Sequence, residues 1–288
     1  MADVRTMRDG TSIERRYLHF LVEVGEILGE SLDYTSTLQR VCEAAVRTVA
    51  DAATMYLFED GKLEVVGAAH FLDERSSDFR DNIVALIRDL TGPRRRIEEV
   101  IRGGRGFLVE YVDDDSIDSI ASGNDHARFM RDLGVRSFVI VPLVSQTRGV
   151  LGALGLVCVE ESGWRYDQEA MILAEDLGRR CGTAIAKAKL HATALDVSAR
   201  FQIAALPRSL PRVDGITLDA IYEPASSDML VGGDWYDAFT LSDGRLGISI
   251  GDVSGHGLQA AAFMGSLRDA LRVALYLDAD MMRALQVA

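Results

Sequence analysis

From Phe138 to Val159 the chain is almost continuously apolar, and a stretch of that kind has few outcomes. Unbroken, it would pass the ~18 residues that mark a membrane span. Ser145, Gln146, Thr147 and Arg148 interrupt it, so it reads as two apolar strands, Arg136–Val144 and Gly149–Val159, around a polar turn. A long helical pattern, Tyr166 to Lys189, follows with Ile172, Leu173, Leu177, Cys181 and Ile185 expected inward. The opening MADVRTMRDGTSIERR is charged and lacks the apolar core of a signal peptide. Hydrophobic residues make up 48% of the 288 and charged ones 26%, a globular mix long enough for two domains, or one and much of another. The 31 Lys and Arg against 44 Asp and Glu leave a net charge of −13. An isoelectric point near 4.9 argues against a general nucleic-acid or anionic-membrane binder, both of which need surplus Lys and Arg. Cys42, Cys158 and Cys181 form no even set and no CxxC pair, so neither a disulfide framework nor a zinc site is expected. The expectation is a soluble, cytoplasmic protein.

Ahead of the hairpin, Ser12 to Leu28 carries Leu18, Leu21, Val22, Ile27 and Leu28 at near-helical spacing. A second helix follows, capped by Thr35 or Ser36, with Leu38, Val41, Cys42, Ala45, Val46 and Val49 as its buried stripe. Cys42 on that stripe reads as a small core residue. The period then becomes strand-like: Thr54–Glu59 and Lys62–Ala69 flank Asp60-Gly61, a hairpin signal. Asp81–Leu90 reads as a short helix stopped by Thr91-Gly92-Pro93. Gly103–Gly106 lacks the GK[ST] ending of a phosphate-binding loop and reads as a turn before a strand, Phe107–Val112.

The segments VRSFVIVPLVSQTRGVLGALGLV and YDQEAMILAEDLGRRCGTAIAKAKL resemble the C-terminal half of a GAF domain, and the helix–helix–hairpin order of the first 70 residues suits it. The resemblance implies a small-molecule-sensing fold over 12–190, an antiparallel sheet with flanking helices. It leaves the ligand unknown: no cysteine suggests bilin attachment and no cyclic-nucleotide signature is present. A GAF core that only dimerises or transmits is the other reading. Beyond it, Leu177, Cys181, Ala184, Ala188, His191 and Leu195 are spaced 4, 3, 4, 3 and 4. That heptad-like stripe runs into a helical connector, 191–211, ending near Pro207 and Pro211; it is expected to join a parallel homodimer or to pack on its own domain.

A new pattern begins at 212 with an expected strand, Ile216–Ile221. Asp234 follows two glycines and precedes a strand, Trp235–Leu241; Asp243-Gly244 turns the chain, and Arg245–Ile250 returns to Gly251-Asp252. The register of such a hairpin brings Asp234 and Asp252 to the same end of neighbouring strands. Glycine-flanked aspartates on rigid strands suit a hard, oxygen-seeking cation such as Mg²⁺ or Mn²⁺. Gly255-His256-Gly257 opens a helix, Leu258–Leu277, rich in small residues.

The run GGDWYDAF…DGRLGISIGDVSGHGLQAA closely resembles the opening of the SpoIIE-like serine/threonine phosphatases of the PP2C class, and LPRSLPRVDGITLDAIYEPAS resembles their upstream segment. The resemblance implies an α/β sandwich, present over 212–288 in part. It implies two Mn²⁺ or Mg²⁺ ions held by Asp234, Asp252 and the backbone carbonyl of Val253. It also implies in-line attack of activated water on a phosphoserine or phosphothreonine, in a partner resembling a phosphorylated anti-anti-sigma protein. Asp237 is expected to be structural or an outer carboxylate, and His256 to assist the leaving group or to cap and pack the helix. Such phosphatases draw further metal ligands from downstream aspartates, whereas 36 residues follow Asp252, almost all helical, with Asp278 and Asp280 at the helix end. The chain on its own is therefore expected to be weakly active or inactive. GGDWY also shares its first three residues with the GGDEF motif of diguanylate cyclases, but the Glu and Phe are missing and GDVSGHG has no place there. Neither His191 nor His256 lies in a histidine-kinase phosphoacceptor pattern. The alternative of a different class is a non-enzymatic GAF sensor and dimerisation module carrying a vestigial output domain.

Overall fold

The computed structural model describes residues 13–30, 33–88, 93–207, 209–222, 232–278 and 282. The chain divides into two compact units, 1–189 and 190–288. In the first, helices α1 (Ile13–Glu30) and α2 (Tyr34–Thr48) lead into strands β1 (Ala52–Glu59) and β2 (Lys62–His70). Helices α3 (Ser76–Leu86) and α4 (Pro93–Gly103) follow, then strand β3 (Phe107–Val109), a short α5 (Ile117–Ile120) and α6 (Asn124–Leu133). Strands β4 (Val135–Ser145) and β5 (Gly149–Val159) complete an antiparallel sheet of order β2-β1-β5-β4-β3, and α7 (Gln168–Ala205) runs on from it.

Turn chemistry sets the sheet register. Glu59 pairs with Lys62 across a two-residue loop in which Asp60 (φ 50°) and Gly61 (φ 77°) are both left-handed, the turn that matches strand twist. Alternation along β4 sends Val139, Val141 and Leu143 into a core shared with α1, α2 and α7, while Phe138 and Ile140 face the side covered by α3–α6. Both faces are thus buried, which is why the hairpin is apolar throughout rather than alternating. Helix α7 lies close on β4 because Gly178 and Gly182 have no side chain: a Cβ at either would overlap the carbonyl of Pro142 or Val144. Tyr166 anchors the start of that segment, its hydroxyl donating to the Val49 carbonyl at 2.8 Å.

Several expectations are corrected. On α1 the buried stripe is Tyr17, Phe20, Val24 and Ile27, while Leu18 and Val22 are exposed, because the larger rings take the core-facing phase. The α2 cap is Asp33, whose carboxylate accepts from the Thr35 N–H at 3.1 Å, instead of Thr35 or Ser36. The stripe of α2 is buried as spaced. Helix α3 spans Ser76–Leu86 instead of Asp81–Leu90, and Thr91 and Gly92 lie outside the described residues. Strand β3 ends at Val109, and α4–α6 were not legible from the sequence. Ile172 is exposed at 63%, with Ala170 and Ala174 inward in its place. Leu177 and Cys181 are buried in the core of their own unit, so that part of the 4-3 stripe packs on its own domain.

In the second unit, strands β6 (Gly232–Thr240) and β7 (Leu246–His256) form an antiparallel pair, followed by α8 (Leu258–Asp278). The expected strand Ile216–Ile221 is absent: an isolated bridge joins Val213 to Ile216, and no described residue gives 217–221 the ladder that a strand requires. The segment 223–231, Asp280 and the side chain of His256 lie outside the described residues. Among the described residues no helix is long and apolar enough to cross a membrane.

Candidate metal centre and sensor cavity

The β6/β7 hairpin is organised by aromatics laid over glycines. Trp235 stands opposite Gly251 and Phe239 opposite Gly247, and a Cβ at either glycine would overlap the facing ring. Trp235 donates from Nε1 to the Ser249 hydroxyl at 3.2 Å and joins Met264 and Leu271 of α8 in a small core. Alternation puts Asp237 on that same inner face. It is 1% exposed and held by Arg272 of α8 through two charge-assisted bonds, Nε to Oδ2 at 2.8 Å and Nη2 to Oδ1 at 2.6 Å. The guanidinium also lies over the Phe239 ring, 4.9 Å from its centroid, and Phe239 stacks on Tyr276. Asp237 is therefore a structural carboxylate whose oxygens are already used.

Asp234 and Asp252 lie on the other side, directly opposite each other in the ladder and both exposed. Strand β7 runs on to His256, so Asp252 sits within the strand instead of at its end. Partial burial, the charge of Asp252 and a hydrogen bond from one carboxyl to the other push the Asp234 pKa upward. The two facing carboxyls are a hard-oxygen donor pair, and among the described residues neither is ion-paired to a Lys or Arg. Val253 follows Asp252, and its carbonyl lies against Gly233, where a Cβ would overlap it; the second glycine of the GGD run is required for that approach. Carboxylate and carbonyl oxygens are the donor type that a hard divalent cation takes. Among the described residues no group of three or more His, Cys, Asp or Glu is placed to hold a metal. Tyr222, missed in the sequence, borders the pair: burial and the Asp234 charge raise its pKa. A groove of about 670 Å³ runs from Asp234 past Tyr222, Ile221, Ile248 and Ile250. No local pattern announces Tyr222 or Arg272, because each meets its partner from a distant element.

A second concavity lies within the first unit, between the sheet and the α3–α6 side. An inner cavity of about 260 Å³ is walled by Tyr56, Phe107, Phe138, Phe79 and Phe129, and an outer one of about 570 Å³ shares Phe79, His126 and Phe129 with it.

With that geometry, comparisons with known proteins divide along the chain. A family model for the GAF domain matches residues 31–186, more than half of the chain, and one for Stage II sporulation protein E (SpoIIE) matches 242–288. Protein IcfG of Synechocystis sp. is 52% identical over 68 residues, which are 24% of this chain and 10% of that protein. The chain thus matches about a tenth of the length of that relative. Among solved structures, the phytochrome photosensory core module of Stigmatella aurantiaca is similar with a TM-score of 0.44 and 16% identity, over 66% of this chain and 40% of that one. The GAF domain of a phosphoenolpyruvate-protein phosphotransferase from Coxiella burnetii gives 0.45 and 16%, over 64% and 99%. The sheet flanked by helices and the match over more than half its length place this chain in the GAF domain family, with a SpoIIE-family segment following in the same chain.

Proposed function

We propose that this chain is the sensor and the first part of the output of a metal-dependent protein serine/threonine phosphatase, acting on a phosphorylated regulatory protein of the anti-anti-sigma type. The observation that carries the reading is the ladder pairing of Asp234 with Asp252, beside the Val253 carbonyl and continuous with the SpoIIE-family segment. Asp234, Asp252 and the Val253 carbonyl would hold Mn²⁺ or Mg²⁺, two ions in the complete site. Such cations neutralise the phosphoryl oxygens and make a water acidic enough to attack at neutral pH. The chain's own part is to fix the two carboxylates on neighbouring strands and keep Asp237 out of the donor set through Arg272. With two carboxylates and one carbonyl among the described residues, phosphoester turnover by this chain alone is expected to be weak. The test is a Mn²⁺-dependent assay on a phosphoserine peptide, run on this chain and on any longer chain that carries it. Asp234→Asn and Asp252→Asn should each abolish metal-dependent turnover; robust turnover indifferent to Asp252→Asn would overturn the site.

A second reading, a non-enzymatic sensor and dimerisation module, is favoured by the absence of a third metal-binding side chain among the described residues. In either reading a second copy joins through α7. Leu177 and Cys181 are consumed internally, so the available contact is Leu190, Ala194 and Val197, all exposed and spaced 4 and 3. Light scattering at tens of micromolar that reports a monomer would refute the dimer.

A further inference from the structure

We propose that the paired cavities of the sensor unit take a neutral, flat, two-ring aromatic molecule carrying a hydrogen-bond acceptor, with the acceptor held by His126. The inference rests on the sensor reading and names the ligand class for it.

Size and wall chemistry select the body of the ligand. At about 260 Å³ the inner cavity exceeds the ~150 Å³ that accommodates benzene in an engineered apolar cavity. Its aromatic walls come in two pairs, Phe79 with Phe129 and Phe107 with Phe138, each with ring centroids 6.0 Å apart. Such an aromatic lining favours a flat ring over a branched aliphatic group.

Charge excludes ions. Among the described residues no aspartate or glutamate lines the inner cavity, so a buried cation would have no counter-charge. The one cationic side chain on its wall, Arg96, already binds Glu99 at 2.9 Å and lies 4.3 Å from the Phe107 ring centroid. An anion would have to compete for a guanidinium already paired. The outer cavity carries both signs, Arg75 and Arg128 with Asp78, Asp125 and Asp132, and gives an ion no clear preference.

The polar handle follows from tautomers. The Ser122 N–H donates to Nδ1 of His126 at 3.1 Å, and the Leu72 N–H donates to Nδ1 of His70 at 3.0 Å. Each neutral ring therefore carries its proton on Nε2. Burial lowers the pKa of both rings, which keeps them neutral. Among the described residues the Nε2–H of His126 has no hydrogen-bond partner. His70 lines the outer cavity and His126 lines both, so a molecule seated in the inner cavity meets a donor at its exit. The same tautomers argue against a metal, which needs the Nε2 lone pair that these bonds leave protonated.

Calorimetric titration of this chain with four probes tests the class: coumarin (neutral, carbonyl acceptor), naphthalene (neutral, no acceptor), 2-naphthoate and 2-naphthylmethylammonium. Coumarin should bind most tightly, naphthalene more weakly, and the two ions weakest. His126→Phe should weaken coumarin about five- to tenfold and leave naphthalene within ~2-fold, as expected for one lost neutral hydrogen bond. Gly155→Val is the companion variant: a Cβ there meets Tyr56 Cε2 at an ordinary 3.8 Å, and its methyls enter the inner cavity and should weaken both neutral probes. Melting curves report whether each variant is folded. Tightest binding by either ion would overturn the ligand class and leave the sensor reading standing. Coumarin binding that is indifferent to both variants would overturn this site. No binding by any probe would overturn the class and count against the sensor reading, while the phosphatase assay is decided separately.

Discussion

Removing Arg272 should damage the second unit far more than its partly exposed side chain suggests. Asp237 is 1% exposed and both of its oxygens are bound by the one guanidinium, so Arg272→Met leaves a buried carboxylate with no counter-charge. Breaking one side of a buried pair costs about 3–5 kcal/mol; since Arg272 is 40% exposed, water screens part of the loss and about 3 kcal/mol is the expected figure. Lost stacking on Phe239 acts in the same direction. With a urea slope of about 1.5 kcal/mol/M, the midpoint falls by about 2 M. Trp235 sits in the affected core and Trp164 in the other unit, so fluorescence in a Trp164→Phe background follows the second unit alone. Replacing both members, Asp237→Leu with Arg272→Leu, removes the charge together with its partner and should restore most of the loss. A drop under about 1 kcal/mol for Arg272→Met, or a double variant as unstable as the single one, would refute the reasoning.

Trp164 Nε1 is buried with no hydrogen-bond partner among the described residues, so Trp164→Phe should change the stability of the first unit by less than about 1 kcal/mol, well under the usual cost of truncating a buried tryptophan. Gly182→Val should lower that unit's stability by about 3 kcal/mol or more, because the new side chain meets the Val144 backbone, and differential scanning fluorimetry would show it. The pKa values of His70 and His126 are depressed by burial, so the unfolded chain binds protons more readily than the fold. Stability of the first unit should be full above the ordinary histidine value of 6.5 and be lost as pH falls below it, with a shallower slope in His70→Gln; a pH-independent melting curve across that range would contradict the assignment.

Much of this molecule is written in local pattern. Asp60-Gly61 dictates a hairpin because two left-handed residues are needed and these two types tolerate them. The 11-residue strands around Gln146–Arg148 are legible because apolarity on both faces of a strand has few other uses. The pairing of Asp234 with Asp252 was likewise readable, since the Asp243-Gly244 turn and the aromatic and glycine positions leave little freedom in register. What the sequence could not convey were choices made between distant elements. Both phases of α1 offer an apolar stripe, and only contact with the sheet selects Tyr17, Phe20 and Val24 over Leu18 and Val22. Asp237 reads as a structural carboxylate in the sequence, but its partner Arg272, 35 residues on, is chosen only by the packing of α8 on the hairpin. The 4-3 stripe of α7 fits a partner helix as well as its own sheet, and only close approach at Gly178 and Gly182 assigns Leu177 and Cys181 to the interior. His70 and His126 look unrelated 56 positions apart in the chain. They line one cavity because the sheet and the α3–α6 layer bring them there, and long-range packing of that kind leaves no periodic trace in the residues themselves.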